Sequence, residues 1–397
     1  MGYQMSRKDA DHLFQTWTKQ YDVFAPKRMT GEGCFSDTDI IRYGKVTSLD
    51  EIVWDQKSDY SMKEVLLAIN ETLFYFTEDQ TTVPAGPAKD RLVFVRACDL
   101  HGVKRLDEIY LRNGFEDFYY KRIRERVHFI LMGCEETCDT GFCVSMGTNR
   151  TEDYDAYLKV DSQKVLLDVH WNPLAPGQPD PGAMAPDQKT WKADPAVSFS
   201  GKEKEPPYRL QIREIRPDYV TENKEKVTLP KHLSNESFTK EIWQEYGSRC
   251  IGCGRCNFVC PTCTCFTMQD IFYQDNPKAG ERRRVWASCQ IDGYTDMAGG
   301  HSYRKSQKDR MRFKVMHKIH DFEKRAGYPM CVGCGRCDAV CPEYISYSNC
   351  INRLAKEEAP DGIPLCPESV DKKEEAPDGI PLCPESVDRK EETPHEK

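Results

Sequence analysis

Two short, nearly unbroken apolar runs stand out in the first third of the chain, Leu92 to Val95 and Val127 to Met132. Runs without polar alternation suit strands buried on both faces. Between them Val103, Leu106, Ile109 and Tyr110 recur at helical spacing. Strand, helix and strand in that order predict parallel neighbours joined by a right-handed crossover. The amino-terminal part therefore reads as an α/β domain with a short parallel sheet. Val165 to Val169 is strand-like as well, and Trp171 to Pro207, dense in Pro, Gly, Asp and Lys, reads as a long exposed loop.

Sulfur follows both apolar runs. Cys98 comes just after the first and Cys134 just after the second, which puts both thiols at the carboxyl edge where parallel sheets bind ligands. Cys138 and Cys143 lie in the same loop as Cys134. Cys98, Cys134, Cys138 and Cys143 thus form a candidate metal site; the plainer alternative is a set of buried apolar cysteines.

In the second half the pattern becomes one of sulfur spacing. Cys250, Cys253, Cys256 and Cys260, followed by Pro261, spell C-x2-C-x2-C-x3-C-P, and Cys331, Cys334, Cys337 and Cys341, followed by Pro342, repeat it. That spacing is the signature of paired [4Fe–4S] clusters, in which the fourth cysteine of each run ligates the other cluster. Cluster 1 is expected on Cys250, Cys253, Cys256 and Cys341, and cluster 2 on Cys331, Cys334, Cys337 and Cys260. Gly252, Gly254, Gly333 and Gly335 lie between ligands, where a missing side chain lets backbone N–H groups approach sulfur. Zinc is the competing reading, but its sites usually show two separated C-x2-C halves. Cys263 and Cys265 read as packing residues first and as neighbours that tune the ligand sulfurs second, Cys34, Cys289 and Cys350 carry no ligand-like spacing, and His301 reads as a structural histidine first and as a surface group or one beside a cluster second.

Cys260 and Cys331 stand much further apart than a minimal ferredoxin requires, so an insertion separates the two motifs. Phe266, Met268, Ile271 and Phe272, then Arg282 to Trp286, then the basic stretch Tyr303 to Lys324 read as helix and loop. The basic stretch reads equally as a docking face or as a solvated helix. The expected organisation is an α/β domain over 1–235, an α+β ferredoxin-like dicluster domain with a helical insertion over 236–355, and a disordered tail over 356–397. That tail repeats a 17-residue unit, Glu357 to Lys373 and Glu374 to Lys390, with Cys366 and Cys383 once per unit as non-ligands.

Composition narrows the function. A chain of 397 residues with 39% hydrophobic and 30% charged positions can build two or three cores. A net charge of −8 provides no field for a phosphate backbone, which argues against nucleic acid. Met1 to Tyr21 has no apolar leader, and no stretch is apolar enough to span a membrane, so a cytoplasmic protein is expected. Met1, Gly2 and Ser6 match the short myristoylation pattern by chance. Nineteen cysteines in a reducing compartment point to metal ligation rather than disulfides. There is no G-x-G-x-x-G, no P-loop and no assignable catalytic group, so electron relay without a catalytic site of its own is expected.

The segments APKRMTGEGCFSDTDIIRYG, RACDLHGVKRLDEIYL, GCEETCDTGFCVSMGTN and WASCQIDGYTDMAGGHSYR, with both cysteine runs, resemble the iron–sulfur electron-transfer subunit of anaerobic sulfite reductase over about residues 5 to 355. Beta subunits of soluble [NiFe] sulfhydrogenases resemble the same blocks and are the alternative, while the stretches Asp37 to Gly44 and Met297 to Arg304 favour the sulfite reductase family. The first resemblance implies a chain that passes electrons from a flavin and NADH-binding subunit to a siroheme subunit reducing sulfite to sulfide. The second implies the electron-transfer subunit of a hydrogenase.

Overall fold

The computed structural model of the chain describes residues 2–33, 37–161, 164–175, 211–212, 214–231, 233 and 235–357. Cys34, most of the expected 171–207 loop, and the repeats beyond Glu357 with Cys366 and Cys383 lie outside the described residues. In chain order the strands are β1 (Gly2–Ser6), β2 (Asp22–Met29), β3 (Ile40–Lys45), β4 (Asn70–Phe76), β5 (Thr81–Thr82), β6 (Arg91–Val95), β7 (Val127–Leu131), β8 (Ala156–Val160), β9 (Lys164–Val169), β10 (Gln211–Ile212), β11 (Phe266–Tyr273), β12 (Asn276–Trp286), β13 (Asp296–Met297) and β14 (His301–Ser302). The α-helices are α1 (Arg7–Gln20), α2 (Lys63–Leu66), α3 (Ala97–Tyr110), α4 (Phe118–Arg124), α5 (Ile242–Arg249), α6 (Arg255–Phe258), α7 (Gln307–Met316), α8 (Phe322–Ala326), α9 (Arg336–Ala339) and α10 (Tyr347–Lys356).

The large sheet has the order β10-β1-β9-β8-β7-β6-β2-β3. Its centre is parallel, with β6 between β2 and β7 and β8 beyond β7; the outer pairs are antiparallel. Alternation along β6 explains the layering, because successive side chains leave a strand on opposite faces. Leu92 and Phe94 pack with Leu13, Phe14 and Trp17 of α1. Val93 and Val95 pack with Leu100, Val103 and Leu106 of α3 and Tyr120 of α4. Helices on both faces account for the unbroken apolar run, and each such side chain contributes about 1.5–3 kcal/mol by leaving water. α1 buries Ala10, Leu13, Phe14 and Trp17 at the i, i+3, i+4, i+7 spacing of one helical face, and the Ser6 hydroxyl caps it by accepting from Asp9 N–H.

The expected helix and loop over 266–286 is corrected: those residues are a hairpin, β11 and β12, that continues onto β4 and β5 in a second, antiparallel sheet of order β11-β12-β4-β5. Aromatic and β-branched residues such as Phe266, Thr267, Ile271, Phe272, Val285 and Trp286 suit a strand, and the partner strand β4 lies some two hundred residues earlier, where local spacing cannot reveal it. Tyr303 to Lys324 is helical as expected, through α7, a π-turn at His317–Asp321 and α8. It is not a solvated face, however, because Arg310, Lys314 and Lys318 point inward. The described residues form one compact unit. A third apolar cluster, Trp243 and Tyr246 of α5 with Met311 and Val315 of α7 and Ile351 and Leu354 of α10, supports the cysteine loops.

Candidate iron–sulfur centres

Each cysteine run winds into a loop that ends in one short helix, α6 or α9. The helices start at matched glycines, Gly254 at φ 75° and Gly335 at φ 69°, a conformation that only glycine adopts freely. At Gly335 close packing adds to this need, since a Cβ there would lie 2.0 Å from the Thr140 carbonyl oxygen.

Cys250, Cys253, Cys256 and Cys341 line one cavity. A second cavity is lined by Cys260, Cys331, Cys334 and Cys337. The fourth cysteine of each run therefore stands with the first three of the other. Cys256, Cys337 and Lys314 line both cavities, so the two adjoin. Among the described residues no three His, Cys, Asp or Glu side chains close around a single-ion position.

Charge provides a sharper test of what the thiols hold. Lys63, Lys314 and Lys318 are 3%, 6% and 4% exposed. Lys318 Nζ donates to Thr262 Oγ1 at 2.7 Å and to Cys260 Sγ at 3.4 Å. Lys63 Nζ donates to the Cys263 carbonyl at 3.0 Å and lies 4.1 Å from the centre of the Trp286 ring, while Lys314 donates to Cys256 sulfur. A buried, uncompensated ammonium costs several kcal/mol. Burial works against the charge of Lys318, yet the neighbouring sulfurs, Cys260 first among them, outweigh it and raise the pKa. The same holds for Lys314 beside Cys256 and Cys337. Metal-bound thiolates supply this negative charge; neutral thiols do not. Protein burial alone pushes Cys331 up to about 12, so a metal is what would make that sulfur anionic at neutral pH. The donor set fits an iron–sulfur group.

Two further thiol pairs lie beside the first motif. Cys263 stands beside Cys260, whose Sγ is 3.4 Å from both the Thr262 hydroxyl and the Lys318 ammonium. Cys265 stands beside Cys289, whose sulfur accepts from the Gln290 and Asn257 side-chain amides. Asn257 Nδ2 reaches Cys289 Sγ at 3.0 Å. The packing role expected for Cys263 and Cys265 understates them, and Cys289 acquires a partner that its isolation in the sequence concealed. Cys350 is a buried core residue, and His301 is exposed beside Tyr303.

Residues 249–345 match the family described as a 4Fe-4S dicluster domain. The chain is an iron–sulfur electron-transfer protein. Over 325 residues it is 29% identical to sulfhydrogenase 2 subunit beta of Pyrococcus furiosus, a match that covers 79% of this chain and 88% of the relative. No solved structure matches it.

The third set stands at the sheet edge. Cys98 opens α3 directly after β6, and Cys134, Cys138 and Cys143 follow β7. Arg96 gathers them: its Nη1 donates to Cys134 Sγ at 3.3 Å and to the Gly133 carbonyl at 3.1 Å, and Nη2 donates to the Trp54 carbonyl at 2.7 Å. Burial opposes its charge, and the thiolates of Cys134, Cys138 and Cys98 restore it. Asn223 fixes the loop by accepting from Val144 N–H at 2.7 Å and donating to Thr137 Oγ1 at 2.9 Å. Cys98 and Cys143 pack with Val332 and Cys334 of the second set, and Phe142 N–H donates to the Gly333 carbonyl at 2.7 Å. A buried ion pair, Arg336 with Asp99 at 2.9 Å and each side chain 1% exposed, ties the two loops together. The second set thus adjoins both of the others. Cys253 of the first set is exposed, and a cleft of about 490 Å³, lined by Arg96, Gly133, Tyr157 and Lys159 among others, opens beside Cys134 of the third. Among the described residues no helix is long and apolar enough to cross a membrane.

Proposed function

We propose that the chain is the electron-transfer subunit of a sulfhydrogenase-type oxidoreductase, relaying single electrons along three [4Fe–4S] clusters. Cys250, Cys253, Cys256 and Cys341 would hold the first, Cys331, Cys334, Cys337 and Cys260 the second, and Cys98, Cys134, Cys138 and Cys143 the third. Each cluster supplies a one-electron couple when bound. The observation that carries the reading is the adjacency of the three thiol sets, the first two sharing wall residues and the second and third packing Cys334 against Cys98. The chain's own residues hold and space these centres, bury their sulfurs and place buried cations beside them. Nucleotide oxidation and substrate chemistry fall to partner subunits, since the sequence carries no nucleotide-binding device.

Similarity to a sulfhydrogenase beta subunit over 79% of the chain supports a hydrogenase-type partner. The sulfite reductase reading, with its flavin and siroheme subunits, rests on the resemblance of the four sequence segments. Anaerobic co-purification with the tagged full-length chain distinguishes them. A hydrogenase catalytic subunit should be recovered, with hydrogen-driven reduction of the physiological acceptor lost when this chain is omitted and dye-linked hydrogenase activity retained. Recovery of a siroheme subunit, with NADH-driven sulfite loss dependent on this chain, would overturn the hydrogenase reading.

A further inference from the structure

Arg310, Lys314 and Lys318 recur at every fourth position along α7 and into the π-turn that follows, and all three are buried. A stripe of cations at helical spacing ordinarily faces water. Here only Arg310 finds an acidic partner, Asp292. Lys314 and Lys318 instead face sulfur, and they do so differently. Lys314 lines both cysteine cavities, with Cys256 of the first set and Cys337 of the second in the same walls. Lys318 lines the second cavity alone, with its Nζ 3.4 Å from Cys260 Sγ. The π-turn at His317–Asp321 spans Lys318, and turns of this kind are rare and recur at functional positions.

We propose that Lys314 and Lys318 are fixed positive charges that set the potentials of the two dicluster centres, Lys314 acting on both and Lys318 on the second. The inference rests on the ligand sets proposed above. A buried ammonium beside a centre that gains an electron stabilises the reduced form, because charges in a low-dielectric interior are weakly screened. Lining both cavities, Lys314 raises both midpoints. Lys318, which lines the second cavity alone, raises only the midpoint of the second centre.

The test uses the full chain, reconstituted anaerobically, in four variants: Lys314→Gln, Lys318→Gln, Lys314→Arg and Lys318→Arg. Iron per chain verifies loading, and a potentiometric titration followed by electron paramagnetic resonance reads the midpoints. Lys314→Gln should lower both midpoints. Lys318→Gln should lower only the midpoint of the centre that Cys334→Ser perturbs. Each shift should reach about tenfold in the redox equilibrium, which is about 59 mV for one electron. The Arg variants, which keep the charge, should stay near the wild type. Unmoved midpoints in a fully loaded Gln variant, or equal shifts of both centres in Lys318→Gln, overturn the proposal. If a Gln variant fails to load, the matching Arg variant decides: loading with wild-type midpoints supports the proposal, and a tenfold shift despite the retained charge overturns it. Failure of the ligand sets would show separately, as Cys341→Ser perturbing the same signal as Cys334→Ser.

Discussion

In the dicluster domain each group of three thiols sits on one loop, set by left-handed glycines and closed by a four-residue helix, and only the fourth thiol of each cavity comes from the other loop. At the sheet edge Cys98 comes from the start of α3 and the other three thiols from the loop after β7, so the set exists only once β6 and β7 have paired. The compensating charge differs in the same way. Lysines from α7 and the π-turn enter the dicluster domain from outside the motifs. Arg96, two residues before Cys98, serves the sheet-edge set and is tied to the strand ends by the Gly133 and Trp54 carbonyls. A locally encoded site carries its geometry in its spacing, whereas an assembled one takes it from the fold.

Breaking the local site should have the largest effect. Cys341→Ser, although in the second motif, should remove the same paramagnetic signal as Cys253→Ser in the first, with about four irons lost per chain. If Cys341→Ser and Cys337→Ser remove the same signal, the ligands are not exchanged.

The joint between the two regions should come next. Asp99→Asn leaves the Arg336 guanidinium buried opposite a neutral amide, and breaking such a pair costs about 3–5 kcal/mol. Thermal unfolding under anaerobic conditions measures it. A midpoint within experimental scatter of the wild type would show that the pair does not hold the two regions together.

A smaller and more selective effect is expected at Arg96. Arg96→Gln removes the cation bonded to Cys134 and should weaken retention of the sheet-edge irons toward a chelator by about 10–100-fold, with dicluster irons unaffected. Equal loss from all sites would instead place Arg96 in the general stability of the fold.

How much of this was legible follows from the same contrast. The two C-x2-C-x2-C-x3-C-P runs state their pairing in local spacing, and the structure brings together the crossed sets that the spacing implies. The runs Leu92 to Val95 and Val127 to Met132 announced buried parallel strands, because a strand covered on both faces has no polar alternation to confuse it. The hairpin over 266–286 was read as helix and loop because its partner β4 is distant in sequence. The lysines were hidden for another reason: Lys314 and Lys318 look like any basic helix until the direction of that face is known. Cys289 was hidden likewise, since its partner Cys265 lies across a hairpin.

Iron content bears most directly on the account as a whole. Chain purified or reconstituted under strict anaerobiosis should hold about twelve irons, falling to about eight in Cys138→Ser while the two dicluster signals persist. A value of about eight in the wild type, unchanged by Cys138→Ser, would contradict the three-centre relay and leave the sheet-edge cysteines without a metal.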